Sequence, residues 1–186
     1  MGHTVRMSDA TQPLANDALA GCDVLVVYHT QRKTCDTHRR VVGEWLAAGK
    51  PVVVSHCGIG AYADWPEYRK AIGRYWVWGG EDRAPSGHPH LSCKLDLLDP
   101  SFDTGWSEAW LPIDEVYVQL GESGAVKSLV KAVTETGIEQ DYAWQVVDHP
   151  NVVVWLPGHR ADMFALDAIR TGLTASIRLA KAGARK

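Results

Sequence analysis

Apolar and amphipathic stretches alternate along the first third of this chain. Apolar, β-branched residues dominate 22–29 and 51–55, which predicts two buried strands. Between them, residues 34–49 show a helical period, with an apolar stripe formed by Val41, Val42, Trp45 and Leu46. Strand, helix and strand follow one another through short connections, and this order predicts a βαβ unit with parallel strands.

The same kind of pattern continues to the end of the chain. It predicts helices at 64–73 and 162–181, and strands at 91–98, around 116–119, at 128–134 and at 151–156. The 186 residues are 46% hydrophobic, enough to bury a sizeable core, and no linker or repeat divides them. We therefore expect residues 1–186 to form a single α/β domain.

Charge and composition argue against several classes of partner. The chain has 22 acidic residues against 19 lysines and arginines, without a basic face, so we expect no nucleic-acid partner. The apolar runs are too short to cross a membrane, and the N-terminus lacks the apolar core of a signal peptide. Four scattered cysteines without a CxxC pair are typical of a reduced, cytoplasmic protein.

The segment from Pro51 to Gly60 is the most informative part of the chain. A buried strand leads directly into His56 and Cys57, and the glycines that follow predict a sharp turn. Such a strand-to-turn elbow exposes a functional side chain at the carboxyl end of a parallel sheet. Adjacent residues of a strand point to opposite faces, so His56 and Cys57 are not expected to act as a nucleophile and base pair.

Histidines follow three of the predicted strands. They are His29, His56 and His159, and parallel strands would bring them to one edge of the sheet. There they could act as acids, bases or metal ligands. A single histidine in such a place is more often a hydrogen-bonded structural residue, and it is the recurrence at strand ends that brings the two interpretations close to even. His88 and His90 form a His-x-His pair that suggests zinc without a defined partner spacing.

Acidic and aromatic residues add to these candidates. Asp114 and Glu115 precede Tyr117 and could orient a histidine or bind a sugar hydroxyl, or they could simply be a solvated strand entry. The chain has eight tryptophans and only two phenylalanines. Tryptophan fills cores, but an aromatic cluster after the elbow, including Trp65 and Tyr68, also suggests a surface that stacks on a sugar. No dinucleotide or Walker motif is present, so a nucleotide cofactor is not supported.

The order of these motifs resembles the trehalose-utilisation (ThuA-like) domain. The resemblance runs from about residue 20 to residue 180 and rests on Asp23–Tyr28, Trp45–Pro51, His56, Trp65–Tyr68, Gly79 and Gly80, His88, Asp114–Tyr117, and Gly158 with His159. It implies a class I glutamine amidotransferase-like fold, a flavodoxin-like three-layer α/β/α sandwich with a mostly parallel sheet. His56 then takes the position of the amidotransferase cysteine nucleophile, which argues against glutamine hydrolysis.

The resemblance also implies a substrate class, carbohydrates such as trehalose, other disaccharides and 3-keto-glycosides. Family members usually begin with a strand and a helix that this chain is expected to lack. The edge left by that strand would make a homodimer plausible.

Three functional hypotheses follow from the sequence. The first is acid/base chemistry on a sugar, such as hydrolysis or isomerisation of an oxidised glycoside. His56 is its central group and His159 and Glu115 its partners, and the expected substrate-binding residues are His29, Trp65, Tyr68, His88, Asp114 and Tyr117. The second is a sugar-binding or regulatory domain without catalysis. The third is a metal-dependent hydrolase, in which some of His29, His56, His88, His90 and His159 hold a divalent ion such as zinc.

Overall fold

A computed structural model of the protein describes residues 3–9, 12, 14–80, 83–100, 102 and 110–184. The helices in this part of the chain are α1 (Asp36–Ala47), α2 (Pro66–Ile72) and α3 (Asp167–Gly183). The strands are β1 (Leu25–Val27), β2 (Val52–Ser55), β3 (Arg74–Tyr75), β4 (His90–Leu97), β5 (Trp110–Glu115), β6 (Gly121–Glu122), β7 (Val126–Thr134), β8 (Glu139–Val146) and β9 (Val152–Trp155). Short 3₁₀ helices occupy His56–Gly60 and Ala161–Ala165.

The main sheet is mixed, and the prediction of a mostly parallel sheet is wrong. Seven strands follow one another in the order β1-β2-β9-β8-β7-β4-β5. Among the described strands, only β1 with β2 and β2 with β9 pair in parallel. The pairs β9–β8, β8–β7, β7–β4 and β4–β5 are all antiparallel. The strands β3 and β6 pair with each other in a separate small sheet.

The antiparallel half of the sheet follows from short connections between its strands. A tight turn joins β7 to β8, in which the Thr134 amide donates to the Ile138 carbonyl and Gly137 takes a φ of 82°. A connection this short can join only antiparallel neighbours. The strand β8 itself was not predicted, because its consecutive residues Tyr142, Ala143 and Trp144 are all buried and show no alternation.

Helices cover both faces of the sheet. Trp144 of β8 donates from its indole nitrogen to the carbonyl of Ile72, at the end of α2. On the other face, the ring of Trp155 packs directly on Gly172 of α3. Trp144 is paired with Val154, and Val154 and Trp155 point to opposite faces of β9, so α2 and α3 lie on opposite sides. The chain is therefore an α/β protein with helices flanking a mixed sheet.

Most predicted elements have structural counterparts, with three differences. The strand predicted over 22–29 is the three-residue edge strand β1, and its Val26 is 44% exposed, so it is not buried. The residues predicted as a strand at 116–119 follow β5 and make only an isolated bridge, between Val118 and Gly87. The last helix starts at Asp167 rather than 162, because a 3₁₀ helix precedes it. None of the helices in the described ranges has the length and apolarity needed to cross a membrane.

Candidate functional site

The elbow, residues 55–60, places His56 at the carboxyl end of β2. His56 has a φ of 44°, in the left-handed region of backbone conformation that residues with a Cβ rarely adopt. The sharp turn is therefore made by the histidine itself. The glycines have a different role from the one predicted. A Cβ on Gly58 would lie 2.3 Å from the carbonyl oxygen of Val27, and one on Gly60 would lie 3.0 Å from the Trp78 ring. They are needed for close packing around the turn.

Two hydrogen bonds orient the buried imidazole of His56. Its Nδ1 lies 2.7 Å from the carbonyl oxygen of Leu156, which can only accept, so Nδ1 carries the hydrogen. The Tyr117 hydroxyl lies 2.7 Å from Nε2 and donates to it. Burial lowers the pKa of His56, although the Leu156 carbonyl and the carboxylates of Asp114 and Glu115 oppose this effect. The ring is therefore neutral near pH 7, with a lone pair on Nε2.

The carboxylate of Glu115 lies at the centre of four imidazoles. Its Oε2 lies 3.4 Å from Nε2 of His56 and 3.2 Å from Nδ1 of His159. Its Oε1 lies 3.2 Å from Nδ1 of His88 and 3.5 Å from Nε2 of His90. Each carboxylate oxygen thus faces its own pair of histidines.

The topology of the sheet produces this cluster. His56 and His159 follow the adjacent parallel strands β2 and β9, whose carboxyl ends share one edge. Glu115 ends β5, where it is the direct cross-strand partner of His90 on β4. His88 precedes His90 by two residues, the spacing that returns a side chain to the same face of an extended chain. The antiparallel half of the sheet therefore brings three of the five side chains.

Asp114 supports the cluster from behind. Its buried Oδ2 accepts hydrogen bonds from the backbone amides of Gly158, at 3.0 Å, and His159, at 3.2 Å. Its Oδ1 is also buried, and no hydrogen-bond partner for it is found among the described residues. Asp114 thus holds the backbone segment that carries His159, which is one way for a carboxylate to orient a histidine.

Two groups of side chains in the described part of the chain could hold a metal ion. One consists of His56, Glu115 and His159, and the other of His88, His90 and Glu115. Within each group the candidate ligand atoms lie within 4.8 Å of one another. Imidazole nitrogen and carboxylate oxygen are ligands that zinc commonly uses in proteins.

A cavity of about 350 Å³ opens over this cluster. His56, Glu115 and His159 lie in its lining, together with the indoles of Trp76 and Trp78. The two indole rings lie 6.0 Å apart, and both are among the aromatic residues that follow the elbow in the sequence. A larger and more open groove of about 660 Å³ adjoins this cavity and shares Thr30 and Trp78 with its lining. Its lining contains no histidine, so we assign the functional site to the smaller cavity.

Four predicted substrate-binding residues, His29, Trp65, Tyr68 and Asp114, are not in the lining of this cavity. Trp65 and Tyr68 are core residues, 5% and 0% exposed, and the Tyr68 hydroxyl donates to the Gly58 carbonyl to support the elbow. His29 packs edge-on against Tyr62, with ring centroids 4.8 Å apart. The structure does bring together His56, His88, Glu115, Tyr117 and His159.

Trp76 and Trp78 line the cavity but are missing from the predicted substrate-binding set. A Trp-x-Trp spacing in an extended segment places both indoles on one side, and that signal was available in the sequence. His90 entered only as a possible metal ligand. Its closeness to Glu115 could not be decided without the register of β4 against β5.

Cys57 does not have the features of a nucleophile. Burial is the main reason that its pKa rises to about 11, and the negative charge of Glu115 raises it further. The group therefore remains a thiol at neutral pH, and a thiol is a poor nucleophile.

The fold has counterparts among solved structures. A protein described as ThuA-like from Bacteroides uniformis ATCC 8492 superposes with a TM-score of 0.72 and 13% sequence identity, over 94% of this chain and 75% of that one. Another protein described as ThuA-like, from Parabacteroides merdae ATCC 43184, gives a TM-score of 0.67 at 16% identity, over 91% of this chain and 75% of that one. At these identities the comparison establishes a shared ThuA-like fold. No family model and no curated protein sequence matches the chain.

We expect His29 to make the protein less stable in acid. Burial lowers its pKa to about 4, and the Gln31 amide donates to its Nδ1, which requires an unprotonated nitrogen. Between about pH 6.5 and pH 4 the unfolded chain takes up a proton at this position and the folded chain does not, so the free energy of unfolding falls as the pH falls. Urea denaturation over this range should show a weaker pH dependence for His29→Asn than for the wild type. An identical pH dependence in the two proteins would contradict the assignment.

Proposed function

We propose that this protein is a metal-dependent hydrolase that acts on a small, polyhydroxylated substrate of the carbohydrate class. The observation that carries the proposal is the triangle of ligand atoms formed by His56 Nε2, His159 Nδ1 and Glu115 Oε2. Its edges measure 3.2 Å, 3.2 Å and 3.4 Å. A tetrahedral zinc ion, with bonds of about 2.0–2.1 Å, holds neighbouring ligand atoms about 3.3 Å apart.

The hydrogen positions support a cation between these atoms. Neutral His56 has one ring hydrogen, and the Leu156 carbonyl accepts it. The lone pair of Nε2 therefore faces the negatively charged Oε2 of Glu115 at 3.4 Å, with no hydrogen of its own between them. In the absence of an ion the Tyr117 hydroxyl donates to this lone pair at 2.7 Å, and a bound cation would take the place of that proton. The Leu156 carbonyl also matches the usual second-shell partner of a metal-binding histidine.

Two histidines and one carboxylate form a donor set found in catalytic zinc sites, where a further position is left for water or substrate. When bound, such an ion polarises a carbonyl and lowers the pKa of coordinated water to about 7. Tyr117 holds a proton beside this position, because burial and the charge of Glu115 raise the pKa of its hydroxyl. We assign Tyr117 the role of proton donor to the leaving oxygen.

The walls of the cavity support a carbohydrate substrate. The indoles of Trp76 and Trp78 offer apolar faces on which the C–H groups of a sugar ring can pack. His88 and Tyr28 add polar groups to the same lining. The resemblance to the trehalose-utilisation family agrees with a disaccharide or a 3-keto-glycoside as substrate, and the volume of the cavity suits a small ligand.

A second candidate is metal-free acid/base chemistry on a sugar centred on His56. It is favoured by the 2.7 Å hydrogen bond from the Tyr117 hydroxyl to Nε2 of His56, which forms without any ion. In this case His56 removes a proton next to a substrate carbonyl, and Glu115 and His159 orient it. The result would be isomerisation or hydrolysis of an oxidised glycoside.

One experiment separates these candidates. Protein purified without a histidine tag and stripped with EDTA is assayed on trehalose and on 3-keto-trehalose, before and after addition of zinc. We expect turnover only after zinc is restored. Turnover that is equal in EDTA and in zinc would overturn the metal proposal in favour of metal-free catalysis. Thermal stabilisation by a sugar without turnover under either condition would indicate a binding domain.

A further inference from the structure

We propose that Glu115 bridges two cation sites, an inner site with His56 and His159 and an outer site with His88 and His90. This inference rests on the proposed function, because the inner site is the metal site proposed above. It adds a second ion and gives the His-x-His pair a role.

The division of contacts between the two carboxylate oxygens is the main argument. The inner histidines lie against Oε2 of Glu115, at 3.4 Å for His56 and 3.2 Å for His159. The outer histidines lie against Oε1, with His88 at 3.2 Å and His90 at 3.5 Å. A carboxylate with each oxygen turned to its own pair of imidazoles has the arrangement of a bridging ligand. Two-metal sites hold their ions about 3.5–4 Å apart, a separation that such a bridge can span.

The backbone determines the outer arrangement. His90 lies directly opposite Glu115 in the β4–β5 register, so their side chains share one face of the sheet. The amide of Val116 donates to the carbonyl of Pro89, which holds the segment between the two outer histidines against the end of β5. The backbone of both outer histidines is therefore held next to the end of β5.

The two sites differ in their access to solvent. His56 is 1% exposed, whereas the side chains of His88 and His90 are 53% and 58% exposed. Among the described residues each site has three protein ligand atoms, and water or substrate oxygen must complete the coordination. We therefore expect a tightly bound inner ion and a weaker, exchangeable outer ion beside the cavity mouth.

The test counts ions in tag-free, EDTA-stripped protein that is reloaded with zinc. Isothermal titration and elemental analysis should give two zinc ions per wild-type chain, one tight and one weak. The double variant His88→Gln/His90→Gln should keep the tight ion. Its affinity for the weak zinc ion should fall at least about tenfold, so that this ion is lost. Glu115→Gln should lose both. The outer residues are exposed, so the double variant should fold, and circular dichroism would verify this.

Loading with manganese tests the bridge itself. Two bridged Mn²⁺ ions should give a spin-coupled electron paramagnetic resonance spectrum, and the double variant should give that of an isolated ion. One zinc ion per chain that is unaffected by the double variant would overturn the bridged pair and leave the proposed function standing. No bound zinc at all would overturn both. Two zinc ions with an uncoupled manganese spectrum would overturn the bridge.

Discussion

Substitution of His56 by asparagine should reduce kcat/KM at least about 100-fold, the lower end of the contribution of a positioned acid/base group. Asparagine tolerates the left-handed backbone better than most residues, so the variant should keep the turn that His56 makes at a φ of 44°. It removes the Nε2 atom that lies between Glu115 and Tyr117. Steady-state kinetics with zinc present would measure the loss.

The matched control for this variant is His149→Asn. His149 comes shortly before β9, at the end of that strand opposite His159, and it does not line the cavity. The same chemical change at this position should leave kcat/KM within about twofold of the wild type, as is usual for substitutions remote from a site. Full activity in His56→Asn would contradict both candidate functions. If His56→Asn lowers both kcat/KM and the melting temperature, its zinc affinity must be measured before the loss of activity is assigned to the site.

Substitution of Gly58 by alanine should lower the free energy of unfolding by about 2–3 kcal/mol, the cost of forcing an extra methyl group into a packed site. The new Cβ would lie 2.3 Å from the carbonyl oxygen of Val27 and 2.9 Å from a methyl group of Val54. The first of these is backbone, so β1 must move away from the elbow. The melting temperature of a chain of this size should fall by roughly 4–12 °C.

Gly43→Ala is the control for this prediction. Gly43 lies within α1, and a Cβ there would meet the ring of Trp65 at 3.4 Å, an ordinary contact. Because alanine favours a helix over glycine by about 1 kcal/mol, this variant should be as stable as the wild type or slightly more so. Equal melting temperatures for Gly43→Ala and Gly58→Ala would show that the elbow does not need glycine for close packing.

Local patterns in the sequence predicted the parallel part of the protein well. The valine runs of β2 and β9 are buried on both faces, as continuous apolar runs suggest. The histidines after these two strands meet at one edge, with Nε2 of His56 and Nδ1 of His159 3.2 Å apart. His29 follows the third parallel strand, but its ring turns towards Tyr62 rather than into the cavity. Parallel pairing sets where a strand ends, whereas local packing sets where the side chain points.

The aromatic residues show the same limit. Trp65 and Trp78 follow the same elbow, and composition alone could not assign one to the core and the other to the cavity. Trp65 packs against Gly43 of α1, a contact between segments that are separate in sequence. The indole nitrogen of Trp78 donates to the carbonyl of Gly60, which holds its ring beside the elbow. Both outcomes depend on long-range packing.

The sequence by itself determined an α/β protein with a histidine at a strand-to-turn elbow, because apolar periodicity and glycine placement are local properties. Only the tertiary structure decided that Glu115 meets four imidazoles. That meeting needs the antiparallel register of β4 against β5, and the adjacency of β2 and β9, which lie about 100 residues apart in the chain. Strand register and order are set by the burial of whole faces against one another, which no short segment of sequence records.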